Sequence, residues 1–195
     1  MTSERASSPA APGTSARAKR TLVLLSLVAL APIVFAVYAY FFSPRDARTN
    51  YGDLISAPAP DLRGTLEGGN SFALSNTRGL WVMYVASPGA CPTDCEKALY
   101  AMRQARTIQN ADAERVVRVW WITDGGAPPA AVIAAHPGLI IARASPETLR
   151  ALAPGGPRIH LVDPRGNLVL AWPADPEIKA MARDLTKLLK ASQIG

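Results

Sequence analysis

The hydrophobic pattern divides the chain sharply in two. From Thr21 to Phe42 there are 22 residues without a charge. As a helix they would span about 33 Å, enough to cross a hydrocarbon core. The run has no polar face, which a surface helix of a soluble protein would show. It is also longer than the roughly 7–15 apolar residues of a cleaved signal peptide, and Val37-Tyr38-Ala39 is a weak cleavage site. Pro32 lies mid-segment, a position that membrane helices tolerate. The pattern predicts a permanent transmembrane anchor.

Beyond the anchor the apolar runs become short and are bounded by turn residues. Ser71-Phe72-Ala73-Leu74 alternates like a strand. Leu80–Val85 is a continuous apolar run between Gly79 and Ser87-Pro88-Gly89, as a buried central strand requires. Cys95, Ala98, Leu99, Met102 and Ala105 recur at helical spacing, with Lys97, Arg103 and Gln104 on the other face. Val116–Ile122 reads as a second buried strand ending at Asp124-Gly125-Gly126, and Leu139–Ile141 as a third. Short helices are predicted at Pro129–Ala135 and at Pro146–Leu152, the latter with Ser145 as N-cap and Pro146 in the first helical position. Ile159–Val162 and Leu168–Trp172 flank Asp163-Pro164-Arg165-Gly166-Asn167 as a hairpin, and Ile178–Leu189 is an amphipathic closing helix. Strands alternating with helices, then a hairpin and a helix, predict an α/β domain: a mixed sheet covered by helices on both faces.

Charge sharpens the division. The net charge of +6 is unevenly placed: residues 1–50 hold six Lys/Arg against two Asp/Glu, and residues 51–195 hold fifteen against thirteen. The globular part is nearly neutral and its arginines are scattered, which excludes a nucleic-acid surface. Arg17, Lys19 and Arg20 precede the apolar run, while Arg45 and Arg48 follow it with Asp46 between them. The positive-inside rule then places the N-terminus in the cytoplasm and the bulk of the chain outside. The predicted organisation is a disordered cytoplasmic segment 1–20, a transmembrane anchor 21–42 in the lipid bilayer, a linker 43–60 and a domain 61–195. The expected compartment of the domain is the periplasmic side of an inner membrane.

Only two cysteines occur, Cys91 and Cys95, directly after the buried strand and at the start of a helix. Pro92 suits the first helical position, which makes Cys91 the N-cap and sets Cys95 one turn in. The N-terminus of a helix favours thiolate, so Cys91 is expected to be the more reactive sulfur, exposed at the helix mouth. Asp94 opposes this effect with negative charge, Lys97 is near enough to offset it, and the sequence does not decide between them. Three uses of the pair stay open: a redox disulfide, a Cu(I) site of two soft ligands, and a structural disulfide. A loop this short stabilises weakly, which disfavours the last. No phosphate-cradling loop, Ser/His/Asp signature or paired zinc motif accompanies the cysteines.

Leu80–Val85 followed by Ser87-Pro88-Gly89-Ala90-Cys91-Pro92-Thr93-Asp94-Cys95 resembles the active-site region of the thioredoxin superfamily. The three-residue spacer is similar to that of SCO/SenC proteins, which assist the copper site of cytochrome c oxidase. His136-Pro137-Gly138-Leu139-Ile140 and Ala144-Ser145-Pro146-Glu147 also fit, and the resemblance runs from about Asp61 to Leu189. It implies a thioredoxin-like fold and a thiol–disulfide protein whose partner is an oxidase subunit or a copper chaperone. Cys91 would attack and Cys95 resolve. The alternative it implies is a Cu(I)-binding metallochaperone. The family's copper-binding histidine falls on Gly155 here, a departure from the pattern. Gly156-Pro157-Arg158-Ile159-His160 instead resembles TlpA-type thioredoxins, which implies Pro157 as the cis-proline beside the cysteines. His160 is then a candidate third metal ligand, or a strand residue in a place usually held by an aromatic. His136 is expected on the surface, Met83 and Met102 in the core, and Trp81, Trp120, Trp121 and Trp172 in the core or at its rim.

Overall fold

Six apolar residues in a row, Trp81–Ala86, can be buried only between two covered faces, and strand β4 (Trp81–Ser87) meets that condition near the middle of a sheet. The computed structural model describes residues 16–42, 50–152 and 158–192. Two units result, residues 1–48 and 49–195. The first holds helix α1 (Ala16–Phe42). Its stretch Ala18–Tyr38 is long and apolar enough to cross a membrane.

The second unit is built on one sheet of eight strands, in the order β1-β8-β7-β4-β5-β6-β2-β3. These are β1 (Asp53–Pro58), β2 (Arg63–Leu66), β3 (Ser71–Ala73), β4, β5 (Val116–Ile122), β6 (Leu139–Ala144), β7 (Arg158–Val162) and β8 (Asn167–Pro173). The β4–β5 and β5–β6 pairs are parallel, with helices between them in sequence, and the remaining pairs are antiparallel. The helices are α2 (Thr93–Ile108), α3 (Ala130–Ala135), α4 (Pro146–Ala151) and α5 (Ile178–Ala191). The sheet is mixed and flanked by helices, as the element order predicts.

Two hydrophobic clusters lie on either side of the sheet. One joins Trp81, Met83 and Val85 of β4 to Leu99 and Met102 of α2, Val132 of α3, and Met181 and Leu185 of α5. The other joins Val82 and Tyr84 to Leu62, Phe72, Leu74, Val119 and Trp121. All four tryptophans and both Met83 and Met102 are core residues. Ser145 caps α4 as predicted, its hydroxyl accepting from the Thr148 N–H at 3.2 Å. The β7–β8 turn is held by Asp163, whose Oδ1 accepts from the N–H groups of Arg165 and Asn167.

The span read as linker contributes a strand. β1 pairs antiparallel with β8 from Asp53↔Ala171 to Pro58↔Asn167, with a register shift between. Its side chains are mostly exposed, so no apolar alternation marks it. β2 escaped for a related reason. It contains Gly64, at which a β-carbon would stand 2.1 Å from the Arg143 carbonyl oxygen. A residue that reads as a strand breaker is what lets β2 approach β6.

A buried carboxylate ties the ends of this unit together. Asp184 on α5, 2% exposed, accepts from the N–H groups of Tyr51 and Gly52 at 3.1 and 2.8 Å and from the Trp172 indole N–H at 3.1 Å. Three donors satisfy a charge that burial would otherwise destabilise.

Candidate functional site at the Cys91–Cys95 disulfide

The β4 strand delivers the chain to a turn at Pro88–Cys91, where the Cys91 N–H donates to the Pro88 carbonyl at 3.0 Å. Cys91 has φ +49°, a left-handed conformation that costs a β-carbon residue roughly 1–3 kcal/mol. The Pro92 carbonyl then accepts from Cys95 and Glu96 and opens α2. Pro92, at φ −60° and ψ 169°, is therefore the N-cap, and helix α2 begins at Thr93. This corrects the expected placement of Cys91 as N-cap. The reversed turn consumes Cys91 before the helix starts, so Asp94 is the second helical residue and Cys95 the third. The two sulfurs form a disulfide across a Cα–Cα distance of 5.1 Å.

The expected exposure of the sulfurs is not met. Cys91 retains 3% of its surface and Cys95 none, and both belong to the cluster containing Met83, Leu99 and Met102. The left-handed turn folds Cys91 inward over the first turn of α2. Lys97 pairs with Asp175, its Nζ 2.7 Å from Oδ2, and this hydrogen bond raises its pKa. The pairing commits Lys97 to Asp175 of the β8–α5 connection, across from α2.

The turn rests on the loop that follows β5. Asp124 Oδ1 accepts from the Gly89 N–H at 2.7 Å and from the Gly126 N–H at 3.0 Å. These donors hold its carboxyl below the usual carboxylate range. The Thr123 N–H donates to the Ser87 carbonyl at 3.1 Å, and the Trp120 indole donates to the same oxygen at 3.3 Å. A β-carbon at Gly89 would lie 2.3 Å from the Gly126 carbonyl oxygen, so the two loops touch backbone to backbone. Sequence reading found the Asp124-Gly125-Gly126 turn but not its contact with the cysteine turn.

His160 is not brought to the cysteines. It is in register with Tyr84, and their rings stack with centroids 4.8 Å apart. Tyr84 belongs to the cluster on the face opposite the disulfide, whereas its neighbours Met83 and Val85 share the cysteines' cluster. His160 thus points away from the sulfurs, because strand side chains alternate between faces. This corrects its candidacy as a third metal ligand. It lines a cavity of about 270 Å³ with Tyr84, Arg158, Pro58, Pro60 and Leu168. Burial first, and Arg158 second, push its pKa down to about 4. Among the described residues no group of three or more His, Cys, Asp or Glu side chains could hold a metal ion. Pro157 lies outside the described residues.

His136, expected on the surface, is 7% exposed. Arg103 donates to the Ala135 carbonyl, and Arg118 to that of Pro137 at 2.6 Å. These two bonds hold the backbone on either side of His136. Burial, then Arg103 and Arg118, lower the His136 pKa. Arg118 itself is 3% exposed, and burial brings its pKa down to about 10.

A family model described as "Transmembrane-like, thioredoxin-like, C-terminal domain" matches residues 81–192, more than half of the chain. The chain belongs to this family. In this thioredoxin-like protein the matched stretch begins at β4 and contains the disulfide and helices α2 to α5. Solved structures agree in fold. The apo Sco1 protein from Thermus thermophilus is 23% identical, with a TM-score of 0.56 over 75% of this chain and 98% of that one. Yeast Sco1 with copper bound is 15% identical, with a TM-score of 0.61 over 70% and 94%. A thiol:disulfide interchange protein from Bacteroides sp. is 17% identical, with a TM-score of 0.54 over 71% and 91%. No curated protein matches the sequence.

Proposed function

We propose that this protein is a membrane-anchored thiol–disulfide protein of the periplasmic face that keeps a partner's copper-ligand cysteines reduced during assembly of a cytochrome oxidase copper site. The observation that carries the redox part is the Cys91–Cys95 disulfide at the β4–α2 junction of a thioredoxin-like sheet. Each round starts from the reduced pair, which an external dithiol regenerates by two thiol–disulfide exchanges, itself ending as a disulfide. The Cys91 thiolate attacks a partner disulfide, breaking its S–S bond and releasing one partner thiolate. Cys95, losing its proton to water, then attacks the Cys91 sulfur of the mixed disulfide and releases the second partner thiolate. Two electrons pass to the partner and the Cys91–Cys95 bond is left. Because both sulfurs are buried in the oxidised form, the cycle includes an opening of the Pro88–Cys91 turn. Pro157 stands next to β7 in sequence, as the groove-shaping proline of a TlpA-type site would. The oxidase and the periplasmic address follow from the SCO/SenC resemblance and the charges flanking the anchor.

A second reading is delivery of Cu(I) as cargo held by Cys91 and Cys95. It draws support from the copper-bound yeast Sco1 neighbour, which shares the fold. The placement of His160 on the far face weighs against a three-ligand site and favours the redox reading.

The test is trapping with the full-length protein in detergent. Cys95→Ser, reduced and mixed with a disulfide-bonded peptide carrying the two copper-ligand cysteines, accumulates a mixed disulfide through Cys91. Cys91→Ser accumulates none and loses turnover. Normal turnover by Cys91→Ser removes the redox reading. Stoichiometric Cu(I) uptake by the reduced protein without any peptide reduction establishes the second reading in its place.

A further inference from the structure

We propose that Asp124 is a positioning residue that staples the Pro88–Cys91 turn shut over the disulfide and so sets how fast Cys91 meets an external thiol. One carboxylate oxygen holds two backbones at once, the Gly89 N–H at 2.7 Å and the Gly126 N–H at 3.0 Å. Gly89 lies two residues before Cys91, inside the turn closed by the Cys91 N–H to the Pro88 carbonyl. The backbone contact between Gly89 and Gly126 leaves no room for a side chain there. Any outward swing of the turn therefore separates these two glycines and breaks the staple.

Arg143 of β6 braces the same loop from behind, donating to the Asp124 carbonyl at 2.5 Å and to the Gly126 carbonyl at 3.1 Å. The Gly125-Gly126 loop is thus fixed to the sheet, and the cysteine turn is fixed to it by Asp124. Cys91 is 3% exposed in this closed arrangement. Its left-handed backbone relaxes when the turn lets go, which favours opening once the staple is removed. Asp124 itself is exposed, so its bonds are exchangeable with water and the staple is a latch rather than a core element.

The inference deepens the thiol–disulfide reading, and rests on it only in that the disulfide must meet a thiol from outside. The test is reduction of the oxidised full-length protein by dithiothreitol. A dithiothreitol thiolate attacks the Cys91 sulfur, the S–S bond breaks, and Cys95 leaves as thiolate and takes a proton from water. The second dithiothreitol sulfur then displaces Cys91, giving the cyclic dithiothreitol disulfide and two cysteine thiols. Asp124→Ala should be reduced at least fivefold faster than the parent, with hydrogen exchange at the Gly89 amide accelerated in parallel. Asp124→Asn, whose amide oxygen accepts from the same two N–H groups, should stay within twofold of the parent.

Rates taken at several sub-denaturing urea concentrations separate this local opening from global unfolding, since only the latter rises with urea. A rate for Asp124→Ala within twofold of the parent overturns the proposal. So does an increase that grows with urea, or an Asp124→Asn variant as fast as Asp124→Ala. Turnover of a test peptide disulfide is scored separately. If no variant shows any, while Asp124→Ala is still reduced faster, the redox function fails and the staple stands.

Discussion

Tyr84 and His160 stack face to face across the β4–β7 pair, with ring centroids 4.8 Å apart and planes 15° from parallel. The stack lies on the face of the sheet that does not carry the disulfide, with Tyr84 buried and His160 half-buried. Burial raises the Tyr84 pKa by disfavouring the phenolate, and burial lowers that of His160 by disfavouring the imidazolium. The pair is a neutral packing element, which fixes what His160 contributes.

Stability should fall in mild acid on this account. The folded pKa of His160 is about 4, below its ordinary 6.5, so the unfolded chain binds the proton first. The contribution is intact above about pH 6.5 and is lost as pH falls through 6.5 toward 4, at up to roughly 1.4 kcal/mol per pH unit. His160→Phe keeps the stack and cannot titrate. Urea unfolding between pH 7 and pH 4.5 should show a shallower decline for that variant. Part of the slope persists, because the His136 pKa is lowered as well. Equal slopes for variant and parent would refute the assignment.

Copper binding should not depend on His160. Whatever affinity the reduced full-length protein has for Cu(I), measured by competition with a chromogenic chelator, His160→Ala should retain it within about threefold. A tenfold loss, equivalent to about 1.4 kcal/mol, would bring the imidazole back to the cysteines.

Asp184→Ala removes the shared acceptor of Tyr51, Gly52 and Trp172. The buried Trp172 and Gly52 N–H groups are then unpaired, and the expected loss is on the order of 3 kcal/mol in denaturant unfolding. A loss below about 1 kcal/mol would mean that water replaces the carboxylate.

Gly64→Ala places a methyl group against the Arg143 carbonyl and the Trp121 ring. Backbone cannot yield there without parting β2 from β6. Hydrogen exchange should accelerate across Arg63–Leu66 and Ser71–Ala73, and stability should drop by about 2 kcal/mol. Unchanged exchange at both strands would contradict the close approach.

How much of this was legible beforehand follows the reach of each signal. β4, β5, β6, the β7–β8 hairpin and helices α2 to α5 announce themselves through local patterns: apolar runs, helical spacing, turn residues and a Ser-Pro cap. The pairing of Cys91 with Cys95 was within reach for the same reason, being four residues apart on one turn. β1 and β2 were not, since their side chains are exposed or absent and only long-range backbone pairing makes them strands.

The chain's own sequence determined where an apolar helix can cross a membrane, which elements alternate, and that the two cysteines lie at a strand-to-helix junction. Tertiary structure alone decided the face that His160 occupies, the burial of His136 in a loop held by Arg103 and Arg118, and the closing of the cysteine turn by Asp124, 33 residues beyond Cys91. The reason is geometric. A strand residue changes face with every step along the chain, and the face it meets is set by which strand pairs with which and in what register.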